Sequence, residues 1–148
     1  MYWSTVPFGK YAGQTLQEII IRDPDWFFYM LPKLYGRLGE EAQNLARKAR
    51  AIKIPKLLSR NWTVEYRYDC DQGFCGFAFV RADSAHSRWT TRLPHLDLAL
   101  PLRRKTYDKR AGRIMIAAFR RLYFGKHKRL TKKRCEEFFS NDANFVTI

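Results

Sequence analysis

The residues with the most distinctive chemistry lie near the end of the chain, in Gly125-Lys126-His127-Lys128-Arg129-Leu130-Thr131-Lys132-Lys133-Arg134. Six Lys or Arg side chains and one His surround Thr131, whose hydroxyl is suited to cap a helix over about Thr131 to Phe139. The free backbone N–H groups at such a helix start favour phosphate even before the side chains are counted. Lys126, Lys128, Arg129, Lys132 and Lys133 are therefore candidate phosphate contacts.

A second basic group precedes this one. Thr106 is a candidate cap for a long helix running to about Phe124, with Gly125 as its stop, and Arg103, Arg104 and Lys105 stand just before it. At about 100° per residue, Lys109, Arg110, Arg113, Arg120 and Arg121 share an arc of about 120°, while Ala111, Met115, Ala118, Phe119 and Leu122 lie opposite. The first set predicts a basic outer face and the second a core face. Five like charges repel by roughly a few tenths of a kcal/mol per near pair, and a polyanion relieves that repulsion. If the two helices form a helix-turn-helix, the Thr131 helix is the one that enters a major groove.

Charge is distributed accordingly. The chain has 148 residues and a formal charge of +14, and residues 101–148 hold fourteen Lys or Arg against four Asp or Glu. That segment thus carries +10 of the +14. Such a concentration favours polyanionic partners, with binding that weakens steeply as salt rises. Nucleic acid is the partner expected first, while an anionic membrane surface or an acidic protein satisfies the same electrostatics. No apolar run approaches 18 residues, so no membrane-spanning segment is expected, and a membrane is not among the expected partners.

Near the other end, Phe8-Gly9-Lys10-Tyr11-Ala12-Gly13-Gln14 reads as a glycine-shaped loop. Thr15-Leu16-Gln17-Glu18 matches a capping box, and Asp23-Pro24 supplies the stop of one helix and the cap and first position of the next. Residues 6–35 resemble the small C-terminal module of exodeoxyribonuclease X and its relatives, through Phe8, Gly9, Lys10, Tyr11, Gly13, Thr15, Leu16, Asp23, Pro24 and Trp26. The resemblance implies a module that accompanies nucleic-acid enzymes, with no separate activity of its own. It makes Lys10 a further candidate contact, although Ala12 and Gln14 stand where the family has basic residues. Tyr11, Leu16 and Trp26 are expected to be buried.

Groups for catalysis are sparse. A metal-dependent nuclease needs clustered carboxylates, whereas Glu65, Asp69, Asp71, Asp83 and Asp97 are scattered. Glu65, Asp69 and Asp97 could converge only if a sheet brings them together. His86, His95 and His127 have no ligand or triad spacing, and Cys70, Cys75 and Cys135 form no CxxC pair. Gly76-Phe77-Ala78-Phe79-Val80 fits the middle of an RNA-recognition-motif signature but fails at Cys75 and Ala82. The expectation is a noncatalytic, cytoplasmic nucleic-acid-binding protein without a cofactor, DNA ahead of RNA. The alternatives are a metal-dependent nuclease or nuclease accessory subunit, and an interaction protein docking an acidic partner.

The elements that must position these residues are legible from periodicity. With 46% apolar and 16% aromatic residues, the chain can bury a sizeable core. Leu38 to Ile52 reads as a third helix, ended at Ile54-Pro55. Trp62, Val64, Tyr66 and Tyr68 alternate with polar residues in a strand, Asp71-Gln72-Gly73 turns the chain, and Cys75 to Arg81 returns beside it. Residues 81–94 are expected to be a loop, and Leu96, Leu98 and Leu100 a third strand. The result is one compact α+β domain over 1–148, with a helical module at 1–53, a small antiparallel sheet at 61–101 and a basic helical region at 104–148.

Overall fold

The Thr15 capping box forms as its sequence requires. In the computed structural model, which describes residues 3–55, 61–69, 73–101, 109–125 and 129–146, Thr15 Oγ1 accepts the Glu18 N–H at 3.5 Å, and Glu18 Oε1 accepts the Thr15 N–H at 3.2 Å. Helix α1 (Leu16–Arg22) follows, then α2 (Pro24–Met30), with Pro24 at its first position and Asp23 accepting the Trp26 N–H. Before them, Val6 exchanges backbone hydrogen bonds with Gly13 and Gln14 to close the loop. Gly9 and Gly13 take φ of +73° and +85°, a region that residues with a Cβ rarely adopt.

Helix α3 (Gly36–Ala49) starts two residues before the expected position and ends three before it. Its early end has a cause downstream, where Ile52 leaves the helix to bridge both Leu96 and Phe145. Strands β1 (Trp62–Tyr68), β2 (Phe74–Arg81) and β3 (Thr90–Leu93) form an antiparallel sheet in the order β2-β1-β3. The predicted hairpin is β1–β2, closed by the Asp69 N–H to the Gly73 carbonyl at 2.9 Å and the Gly73 N–H to Asp69 Oδ1 at 2.8 Å. Helices α4 (Lys109–Tyr123) and α5 (Lys132–Ser140) complete an α+β fold.

The third strand differs from the expectation. Leu96, Leu98 and Leu100 do not join the sheet, because Asp97 Oδ1 accepts the N–H groups of Ala99 at 2.8 Å and Leu100 at 3.1 Å and curls the chain into a turn. Leu96 and Leu98 are buried, and they pair by backbone hydrogen bonds with Ile52 and Ala49. The sheet's third strand comes instead from the supposed loop, where Thr90-Thr91-Arg92-Leu93 pairs with Arg67 back to Val64. Its polar residues mask the strand signal. Trp89, immediately before it, has a left-handed φ of +63°.

The core face of the sheet is aromatic. Tyr66 is fully buried, opposite Phe77, and its hydroxyl accepts the Asp97 N–H at 2.7 Å and donates to the His95 carbonyl at 3.3 Å. Neither Tyr66 nor Phe77, which is 6% exposed, presents a ring to solvent for stacking on bases. Helix α4 packs on β2, and α5 packs on α1. An aromatic cluster joins these layers: Phe138 of α5 lies 5.3 Å from Phe119 and 6.0 Å from Tyr123, and Tyr123 lies 6.1 Å from Phe79 of β2.

Close approach explains one helical glycine. A Cβ on Gly39 would stand 2.7 Å from the Leu34 carbonyl oxygen, a backbone atom that cannot rotate away. Gly39→Ala is therefore expected to destabilise the protein by about 1–3 kcal/mol, although alanine is the better helix former. Urea unfolding of the two proteins measures the difference, and an unchanged midpoint would show that the Leu34 turn gives way.

Candidate nucleic-acid interface

Helix α4 is two-sided because its apolar residues recur at helical spacing. Ala111, Met115, Ala118 and Phe119 are buried, whereas Lys109, Arg110, Arg113, Arg120 and Arg121 are all exposed. Leu122, expected on the core face, is 37% exposed. The covered side turns at that end toward Phe119 and Tyr123, whose rings stack at 4.8 Å and reach the aromatic cluster. Among the described residues, Arg110, Arg113 and Arg121 form no ion pair.

At the start of α4 an acid stands close by. Gly112 meets α2, where an added Cβ would lie 3.1 Å from Asp25 Oδ1. Asp25 is buried, and that burial, together with the neighbouring carboxylate of Asp23, pushes its pKa up to about 6 against a slight opposing pull from Lys109. Burial also raises Asp23, but hydrogen bonds from Asp25, Tyr11 and Lys10 outweigh it and hold Asp23 below the usual range.

Lys10 is occupied by this same pair. Its Nζ lies 3.3 Å from Asp23 Oδ2 and 5.0 Å from the Tyr11 ring centroid, and the Tyr11 hydroxyl also donates to Asp23. Tyr11 packs edge-on against Trp26 at 5.0 Å. Leu16 is buried as expected, while Tyr11 and Trp26 are half-buried. The loop thus spends its one cation within its own module.

At α5, Thr131 accepts the Arg134 N–H at 3.2 Å, so the capping hydroxyl already satisfies one donor of the helix start. Arg129, Lys132 and Lys133 are exposed, with Lys133 3.9 Å from Glu137 one turn on. Arg134 instead turns back and donates to the Arg129 carbonyl. Arg103, Arg104, Lys105, Thr106, Lys126, His127 and Lys128 lie outside the described residues, as do Cys70 and Asp71.

The three central acids are not brought together. Glu65 lies on the sheet face opposite Tyr66, buried, with Oε2 at 2.9 Å from Arg92 Nη2 and Oε1 at 2.9 Å from Arg67 Nε. Burial raises this carboxyl, but hydrogen bonds from Arg67 and Arg92 prevail and lower its pKa. Glu65 is thus a buried ion-pair partner. Asp69 closes the hairpin and Asp97 caps its turn. Among the described residues, no three His, Cys, Asp or Glu side chains are placed to hold a metal ion.

Sequence reasoning misses one feature beside α4. The β1–β2 register slips between Arg67 and Tyr68, so that Arg67 faces Gly76, Tyr68 faces Phe74, and Cys75 is the extra residue of a bulge. Next to it a cleft of about 380 Å³ opens between sheet and helix, lined by Arg67, Cys75, Gly76 and Phe77 on one side and by Ile114, Ala117, Ala118 and Arg121 on the other. Only the irregular Cys-Gly start of the second strand hints at it in the sequence. No described helix is long and apolar enough to cross a membrane. No protein-family model, curated protein or solved structure matches the chain.

Two predictions follow from the carboxylates. Glu65→Gln removes the charge facing Arg92, whose side chain is 9% exposed, and is expected to lower stability by about 3 kcal/mol near pH 7. Because the folded state lowers the Glu65 pKa, the difference shrinks as the solution is acidified, and denaturant unfolding at pH 7 and pH 3.5 tests both parts. Asp25 has the opposite sign: its raised pKa favours the protonated form, so its contribution is greatest below pH 4 and is lost as pH rises through about 6. Asp25→Asn should be more stable than wild type by about 1–3 kcal/mol at pH 8, with the gap closing toward pH 4. A gap independent of pH would remove the titration of Asp25 as its cause.

Proposed function

We propose that this protein binds nucleic acid without cleaving it, through phosphate contacts made by the outer face of α4 and the start of α5. The observation that carries the reading is the row of exposed cations Lys109, Arg110, Arg113, Arg120 and Arg121 on one helix, held outward by the buried Ala111, Met115 and Phe119. Five exposed cations on one helix face with no acid among them repel one another, and a polyanion relieves that repulsion. Arg129, Lys132 and Lys133 extend the positive field onto the next helix, which Phe138 fastens to the same cluster. The resemblance of residues 6–35 to the exodeoxyribonuclease X module supports DNA over RNA as the ligand. Glu65, Asp69 and Asp97 are engaged in structural contacts, and this supports a binding role over metal-dependent cleavage.

The test is a titration of fluorescent single-stranded DNA, duplex DNA and RNA at two salt concentrations, with and without magnesium, followed by gel analysis of the nucleic acid. Arg110→Glu/Arg113→Glu should weaken binding by about tenfold or more and flatten the dependence of log affinity on log salt by about two. Lys10→Glu, whose native side chain is held by Asp23, should change affinity by less than about threefold. Absence of binding at low salt would refute the reading. Magnesium-dependent cleavage would establish a nuclease in its place, and binding confined to polyglutamate would establish an acidic protein ligand.

A further inference from the structure

The cleft between the β1–β2 bulge and α4 adjoins the basic face. Ala117 lines the cleft and is exposed, one turn from both Arg113 and Arg121. Arg121 belongs to the basic face and to the cleft alike. Across from it stands Arg67, about half-exposed although its Nε is held by Glu65. The floor is apolar: Phe77 is 6% exposed, Ile114 is half-buried, and a Cβ added to Gly76 would touch Ile114 Cγ2 at 4.0 Å. Among the described residues, no carboxylate lines this space. The larger groove along α3, of about 810 Å³, mixes Glu40 with Arg47 and Arg50 and has no such uniform sign.

We propose that this cleft receives an unpaired nucleotide of a single-stranded nucleic acid, its base against Ile114 and Ala117 above the covered Phe77, and its phosphates between Arg67 and Arg121. The proposal rests on the reading of α4 as a phosphate-binding face and adds to it a preference for single strands. A space of about 380 Å³ has room for a base and its sugar but not for a duplex. A paired base is stacked within its helix and cannot enter without being extruded, which costs a few kcal/mol. An unpaired base gains apolar contact at once, while the flanking phosphates meet two guanidinium groups that present fixed forks of donors. The bulge makes the space, because the extra residue Cys75 bends β2 beside its pairing with Arg67.

Cys75 serves as a built-in reporter. It is exposed and lines the cleft, whereas Cys135 is buried. In a Cys70→Ser background, alkylation by N-ethylmaleimide can therefore be followed at Cys75 by peptide mass. A saturating twelve-nucleotide oligothymidylate should slow that alkylation by about fivefold or more, while a saturating duplex should not. Ala117→Trp fills the cleft without changing charge, and should weaken single-strand binding by about tenfold while altering duplex binding by less than about twofold.

Full-rate alkylation of Cys75 in the single-strand complex, together with unaltered binding by Ala117→Trp, would overturn the cleft assignment while leaving the phosphate-binding face intact. Equal protection by duplex or by polyglutamate would overturn the preference for an unpaired nucleotide. Failure of the wild-type protein to bind any nucleic acid would remove the underlying reading as well, and is recognised before either cleft measurement begins.

Discussion

The packing of α4 against β2 and α5 governs where the positive charge of this molecule points. Met115 and Phe119 are fully buried, and the rings of Phe119, Tyr123, Phe138 and Phe79 interlock across three elements. Each aromatic pair adds about 0.5–1.5 kcal/mol beyond its burial, so rotating the helix about its own axis would forfeit several such contacts at once. The helix has one stable orientation. In it the arginines have nowhere to go but outward.

Carboxylates account for the complementary pattern. Among the described residues, Glu65 pins Arg92 and Arg67 to the sheet, and Arg92 in turn donates to Ser84 and Ala85, drawing the 82–89 segment over that face. Asp23 holds Lys10, and Glu41 receives the Ser4 N–H at 3.1 Å and its hydroxyl at 2.8 Å. Glu65, Asp23 and Glu41 thus fasten loops and strands within the fold. Salt should act on the field of the exposed α4 cations more strongly than on the buried Glu65 pairs.

Local signals carried most of the fold. Thr15, Asp23 with Pro24, Thr131 and Gly125 mark helix ends through hydrogen bonds or backbone angles formed within a few residues, and the structure retains those ends. The hairpin was legible from alternation alone. What escaped was decided across distance: Thr90–Leu93 is a strand because β1 has a free edge and Glu65 awaits Arg92, and Leu96–Leu100 is a turn because Asp97 finds its own backbone donors. The basic face of α4 could be read from helical periodicity, but its cleft could not. A bulge shows only when two strands are laid side by side.

Nucleic acid is expected to meet α4 and not the Gly9–Gln14 loop. In a backbone NMR titration with a single-stranded oligonucleotide, the largest amide shifts should fall over Lys109–Arg121 and at Cys75 and Gly76, with the Gly9–Gln14 signals almost unmoved. The largest shifts at Lys10 and Tyr11, with α4 silent, would put the nucleic acid on the loop instead.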